Sequence, residues 1–116
     1  MLKFIKSFFS RRSFAPEPKV SLTDYEIVVT HSDETRDVIK WRELNEVSII
    51  TTDQGPFVED VFWVLQGRET ACIIPSRASG IDKLIERLQE LPNFDDFGVI
   101  EAMGSTENNR FLVWSK

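Results

Sequence analysis

Carboxylate side chains are the residues of this sequence with the clearest chemical potential. Asp53, Glu59 and Asp60, together with Gln54, lie in the segment TTDQGPFVED. Two carboxylates held close together can act as general acid and base, or can hold a hard cation. No spacing here matches a calcium loop, and such carboxylates are most often a solvated acidic rim. A carboxylate- or metal-dependent enzyme is therefore kept only as an alternative, and the interpretation that we favour assigns no catalytic residue, metal or cofactor.

A Cys–His nucleophile pair would have to use the single cysteine, Cys72, and the single histidine, His31. One residue of each type cannot supply a Cys/His zinc site. Cys72 lies in the apolar run ACII, where burial raises the pKa of a thiol and makes it unreactive. The sequence also contains no Gly-rich phosphate loop and no G-x-S-x-G elbow. These observations favour a non-enzymatic protein.

Charge is distributed unevenly along the chain. The net charge is −5, while residues 1–16 contain four basic residues and no acidic one, so the remaining hundred residues carry −9. An acidic body disfavours nucleic-acid binding and favours a protein partner, in particular a basic one. No apolar run approaches the roughly 20 residues that span a bilayer. With a lone cysteine, this predicts a cytoplasmic protein, in one alternative peripheral to the inner membrane.

Residues 1–16 form a basic amphipathic tail. On a helix, Leu2, Ile5 and Phe9 would share one face. We do not interpret the tail as a signal peptide, because Lys6 interrupts its short apolar part. Three alternatives remain: a flexible tail, a weak contact with a membrane surface, or a segment that docks on a partner or on its own domain. The candidate contact residues are Lys3, Phe4, Lys6, Phe8, Phe9, Arg11 and Arg12.

Tryptophans at strand positions of a small domain usually belong to the core. We therefore predict that Trp63 and Trp114 are buried. Trp41 lies at a strand end between two basic residues and is predicted to be partly exposed. Trp41 and Arg42 are therefore added to the candidate binding residues.

The pattern of the body, residues 17–116, predicts one α+β domain. Strands are predicted over 25–30, 38–41, 47–52, 60–66, 70–75 and 110–114. One apolar stripe predicts the main helix over 79–91, with Ser79 as its cap. Residues 95–103 fit either a helix capped by Asp95 or Asp96 or a strand. This order predicts an antiparallel or mixed sheet of about five to six strands with the main helix on one face. If the last strand lies at an edge, homodimerisation is possible there.

A series of short motifs resembles a set of short, uncharacterised bacterial proteins of unknown function. The motifs are WREL at 41–44, TTDQGPF at 51–57, DVFW at 60–63, RLQELP at 87–92 and the closing Trp114. The resemblance covers about residues 37–115 and implies a bacterial source, but it implies no activity or cofactor. The Trp41–Leu44 turn is also similar to one in bacterial PH-like domains. Some immunity proteins of toxin systems are of the same general type, namely small, acidic α+β domains.

Overall fold

The computed structural model describes residues 17–53 and 60–116, and these residues form seven antiparallel strands and two α-helices. The strands form two sheets, one with the order β1-β2-β3 and one with the order β6-β5-β4-β7. The α+β class is confirmed. The strands are more numerous than the sequence predicts and lie in two sheets rather than one. The bounds are β1 Lys19–Leu22, β2 Glu26–Thr30, β3 Arg36–Lys40, a 3-10 helix Trp41–Glu43, β4 Glu46–Thr51, β5 Val61–Gln66, β6 Ala71–Pro75, α1 Ile81–Leu88, α2 Asp96–Met103 and β7 Asn109–Ser115.

Alternation along the strands of the four-stranded sheet gives it two different faces. Its inner face is defined by the alternate residues that join the main core, among them Ile49, Trp63 and Leu65, all fully buried. The three-stranded sheet and α1 contribute to the same core, for example through Ile27 and Leu84. The two sheets and α1 therefore share one core.

The outer face of the four-stranded sheet is the opposite one and carries a separate apolar cluster. Ile50 and Phe62 are its buried members, with Val64 and Ile73 packed against them. The sequence predicts that the strand containing Phe62 and Trp63 is central and covered on both sides. Its position between β4 and β6 confirms that it is an interior strand, and it has buried residues on both faces.

Helix α1 begins at Ile81, later than the cap at Ser79 that the sequence predicts. Gly80 is the N-cap, with φ of 84°, and no side chain caps the helix. Ser79 is occupied elsewhere, because its backbone pairs with the start of β1: Val20 N donates to Ser79 O at 2.7 Å, and Ser79 N donates to Pro18 O at 3.3 Å. The predicted capping box is therefore wrong, and the reason is a tertiary contact that the local pattern does not contain.

Helix α2 resolves the alternative that the sequence leaves open for residues 95–103. Asp95 is the N-cap and accepts a hydrogen bond from Gly98 N at 2.9 Å. Gly98 and Ala102 are buried, and a Cβ atom on Gly98 would lie only 3.2 Å from Val113 Cγ1. The two small residues thus let α2 approach β7 closely.

Candidate functional site

The candidate binding residues predicted from sequence lie at opposite ends of β4. Trp41 and Arg42 belong to the 3-10 helix before this strand, while Asp53 follows it and Asp60 precedes β5. A six-residue strand separates its two ends by about 20 Å. The structure therefore brings Asp53 and Asp60 to one end of a hairpin, but it does not unite them with Trp41 and Arg42. Gln54, Glu59 and the seven tail residues from Lys3 to Arg12 lie outside the described residues.

The acidic hairpin end has a simple structural role. Thr52 N donates to Asp60 O at 2.8 Å, and Asp53 N donates to Asn108 Oδ1 at 3.3 Å. Among residues 17–53 and 60–116, no three His, Cys, Asp or Glu side chains form a group that could hold a metal ion. The described part of this hairpin therefore offers backbone pairing and two carboxylates, without an assembled metal centre.

Trp41 links three parts of the chain. Its indole N–H donates to Thr23 O at 3.1 Å, and the guanidinium carbon of Arg87 lies 4.7 Å from the centroid of its ring. A guanidinium over an indole face is attracted by the ring quadrupole. As predicted, Trp41 is only partly buried, whereas Trp63 and Trp114 are buried. The contacts of Trp41 hold the 3-10 helix against the turn between β1 and β2 and against α1.

Arg42 lines an open pocket of about 350 Å³ at the other end of the four-stranded sheet. Its neighbours there are Glu43, Asn45, Arg68 and Lys116, and the Lys116 ammonium donates to the Arg42 carbonyl oxygen. Backbone bonds from Asn45 N to Gln66 O and from Lys116 N to Asn45 O, each 2.8 Å, hold its walls together. Three cations line this polar pocket on a protein whose body is acidic.

Cys72 is not placed for nucleophilic chemistry. It is 2% exposed on the inner face of β6, and burial, with a smaller contribution from the negative charge of Asp37, raises its pKa to about 12. Asp37 pairs instead with His31, whose Nε2 lies 2.7 Å from Asp37 Oδ2. His31 and Asp37 thus do not activate the thiol.

We expect Cys72 to resist alkylation by iodoacetamide at pH 8 in the folded protein and to react readily in denaturant, with mass spectrometry as the measurement. The stability of the fold should also depend on pH, because the pKa of Cys72 is about 12 in the folded protein and 9.0 in the reference state. The stabilisation that this thiol gives is complete below pH 9 and is lost as the pH rises from there towards 12. Equal alkylation rates in the folded and unfolded chain would contradict the assignment.

Large apolar side chains on the surface form a stripe along α2. Phe97 is 68% exposed, Ile100 67% and Met103 47%. They are three residues apart, so they follow one another along the side of the helix that faces away from the buried Gly98 and Ala102. Burying such side chains gives about 1.5–3 kcal/mol each, which is lost while they face water. We call these three residues the α2 stripe.

The α2 stripe lies in the most uniformly acidic part of the chain. Residues 95–109 include four carboxylates and no Lys or Arg: Asp95, Asp96, Glu101 and Glu107. The last turn of α2 likewise contains no basic residue. A helix C-terminus carries partial negative charge, which Glu101 in the last turn reinforces rather than neutralises.

No protein-family model, curated protein or solved structure matches this chain. None of the described helices is long and apolar enough to cross a membrane.

Sequence reasoning missed the α2 stripe, although a signal for it was present. In the segment DFGVIEAM, apolar residues occur on every side of the helix rather than along one stripe. A helix that packs on a core by one side only must then leave the others in water. The signal could be used only after 96–103 was known to be a helix and Gly98 and Ala102 were known to face the sheet.

Proposed function

We propose that this protein is a non-enzymatic, cytoplasmic protein-interaction module, and that its partner contacts the α2 stripe. The observation that carries the proposal is the exposure of Phe97, Ile100 and Met103 along one side of a short helix. Exposed apolar side chains at i and i+3 are the anchors with which a helix enters an apolar groove of a partner. Isolated exposed apolar residues need no explanation, but three in a row on one helix do.

The charges around the stripe define the partner more closely. With four carboxylates and no cation in residues 95–109, the partner should present an apolar groove with a basic rim. Such a rim would also complement the negative end of the α2 dipole. This agrees with the basic protein partner that the charge of the body favours.

The stripe also has the rigid support that an interaction surface needs. Asp95 N donates to Val113 O at 2.8 Å, and the indole N–H of Trp114 donates to Pro92 O at 2.9 Å, so that the chain before α2 is held to β7. The chain after α2 is fixed by Thr51, whose hydroxyl donates to Glu107 O at 2.7 Å. A helix held at both ends loses little conformational entropy when a partner binds.

The test is a double variant, Phe97→Ser with Ile100→Ser, in the full chain. We expect the wild-type chain to capture a protein from lysate of the source organism and the double variant not to capture it. The affinity of the double variant for this protein should be about 100-fold lower, because two anchor residues of the interface are removed. Because both side chains are exposed, the free energy of unfolding should change by no more than about 0.5 kcal/mol. Affinity is measured by titration with the purified partner, and stability by urea unfolding.

Tyr25 provides the matched control. It is 81% exposed, it lies in the turn before β2, and Tyr25→Ser removes an aromatic group of similar size far from α2 in the sequence. This variant should capture the partner as the wild type does. Equal capture by the wild type and the double variant would overturn the proposal. If the double variant loses only self-association, measured by sedimentation equilibrium, the α2 stripe binds a second copy of the chain and not another protein.

The basic rim has its own test in Glu101→Gln. Glu101 is exposed, and this change removes one charge beside the stripe without altering the shape of the side chain. We expect weaker binding at low ionic strength and little difference at 1 M salt, where exposed charges are screened. Identical salt dependence of the variant and the wild type would exclude a basic rim at this point.

A further inference from the structure

Six of the eight residues in the two central rows of the outer face of the four-stranded sheet are apolar. The register aligns Leu112, Ser48, Val64 and Ile73 in one row, and Arg110, Ile50, Phe62 and Pro75 in the next. An antiparallel sheet that shows one face to water normally carries polar residues there. This face instead has an apolar centre, with Arg110, paired to Glu46, at its margin.

The centre of this face is better buried than the sheet alone explains. Ser48 is 1% exposed, and Ile50 and Phe62 are each 5% exposed. In residues 17–53 and 60–116, the cluster around them consists only of side chains of the sheet itself. Neighbouring strands shield a side chain laterally, but side chains stand perpendicular to the sheet, and their tips stay open from above. Such burial calls for a covering layer.

Ser48 shows this burial at a polar group. Its hydroxyl is buried on the outer face and has no hydrogen-bond partner. Buried hydroxyl groups are ordinarily satisfied, because an unpaired one is costly. A hydroxyl that is buried without a partner is also shielded from water, which the flat face of a sheet does not provide by itself.

The path of the chain identifies a candidate for that layer. The Glu17 carboxylate lies 3.7 Å from Arg77 Nε, and Ser76 N donates to Val61 O at 3.0 Å. Arg77 follows Pro75, which pairs with Phe62 across the outer face. The described chain therefore begins beside the second apolar row. Residues 1–16 are long enough to cross it, since even at about 1.5 Å per residue they reach about 24 Å, against roughly 14 Å between the outer strands.

We propose that residues 1–14 of the same chain cover the outer face, with their apolar side chains packed on Ile50, Phe62, Val64 and Ile73. The segment offers Leu2, Phe4, Ile5, Phe8, Phe9 and Phe14. Its four positive charges face a body of −9, with Asp53 and Asp60 at the end of the same two strands. The apolar side chains and the positive charges of the segment both complement the outer face. Because the segment is joined to the domain at Glu17, its effective concentration at this face is high.

The test uses the full chain with a nitroxide attached at Ser7→Cys, since buried Cys72 is protected from the reagent. We expect paramagnetic loss of amide peak height in β4, β5 and β6, and none in the control helix Asp96–Met103. In a mixed sample, the nitroxide is carried by chains without ¹⁵N, and the observed ¹⁵N chains carry no nitroxide. The amide peaks of this sample should lose no height, because the contact is within one molecule. Replacing Phe4 and Phe8 by Ser in the labelled chain should restore the peaks.

Three results would overturn the proposal. Loss of peak height in the mixed sample would make a second copy the occupant. Loss confined to α2 would place the segment elsewhere on the molecule. No loss at all would show that the segment does not lie on the outer face. Co-sedimentation of the full chain with phosphatidylglycerol vesicles would then assign the segment to a membrane surface.

Discussion

Gly80→Ala is expected to reduce the free energy of unfolding by about 3 kcal/mol or more, the sum of a backbone penalty and a clash. Gly80 has φ of 84°, a conformation that costs an L-residue about 1–2 kcal/mol. In addition, a Cβ atom there would lie 2.2 Å from the carbonyl oxygen of Val20. This oxygen belongs to β1 and cannot rotate away, so α1 and β1 must separate. Urea unfolding followed by far-UV circular dichroism measures the loss.

Gly104→Ala is the matched control for this prediction. Gly104 ends α2 with φ of −89°, and its nearest atoms would lie 3.8 Å from an added Cβ. Alanine fits there without strain and restricts the unfolded chain, so the variant should be unchanged or more stable by about 0.4–1 kcal/mol. Equal destabilisation by the two substitutions would contradict the role given to Gly80.

Trp63 is expected to give a comparably large effect, with a strong dependence on the substitution. Trp63 is fully buried at the centre of the inner face, and Trp63→Ala should cost about 3–5 kcal/mol through lost burial and a cavity. Its indole nitrogen has no hydrogen-bond partner. Trp63→Phe removes this unpaired group while keeping most of the apolar volume, so its cost should be only about 1 kcal/mol.

Urea midpoints of the two Trp63 variants and the wild type measure this contrast. A cost for Trp63→Phe as large as that for Trp63→Ala would mean that the indole N–H stabilises the core. That result would contradict the contacts described for Trp63.

Local patterns in the sequence predict most of the elements, because the information lies within a few residues. The apolar stripe Ile81, Leu84, Leu88 predicts α1, and the doubly apolar run from Val61 to Gln66 predicts the central strand. Asp95 as a cap favours α2. Each of these features depends on neighbours in the chain and not on distant contacts.

Features that depend on distant contacts could not be predicted in this way. The N-cap of α1 moves to Gly80 because Ser79 pairs with β1, sixty residues earlier in the chain. The division of the strands into two sheets is a matter of pairing, which the strand patterns leave open. The same limit applies to the site: the exposure of Phe97 and Ile100 follows from which side of α2 packs on β7, and no local pattern specifies that side.

We propose that the α2 stripe is the surface to which a partner protein binds. The most direct measurement places a photo-reactive phenylalanine analogue at position 97 in cells of the source organism, with position 25 as the control. We predict a defined adduct with one other protein at position 97, reduced by Ile100→Ser, and no such adduct at position 25. The absence of an adduct at position 97, or the same adducts at both positions, would contradict the claim.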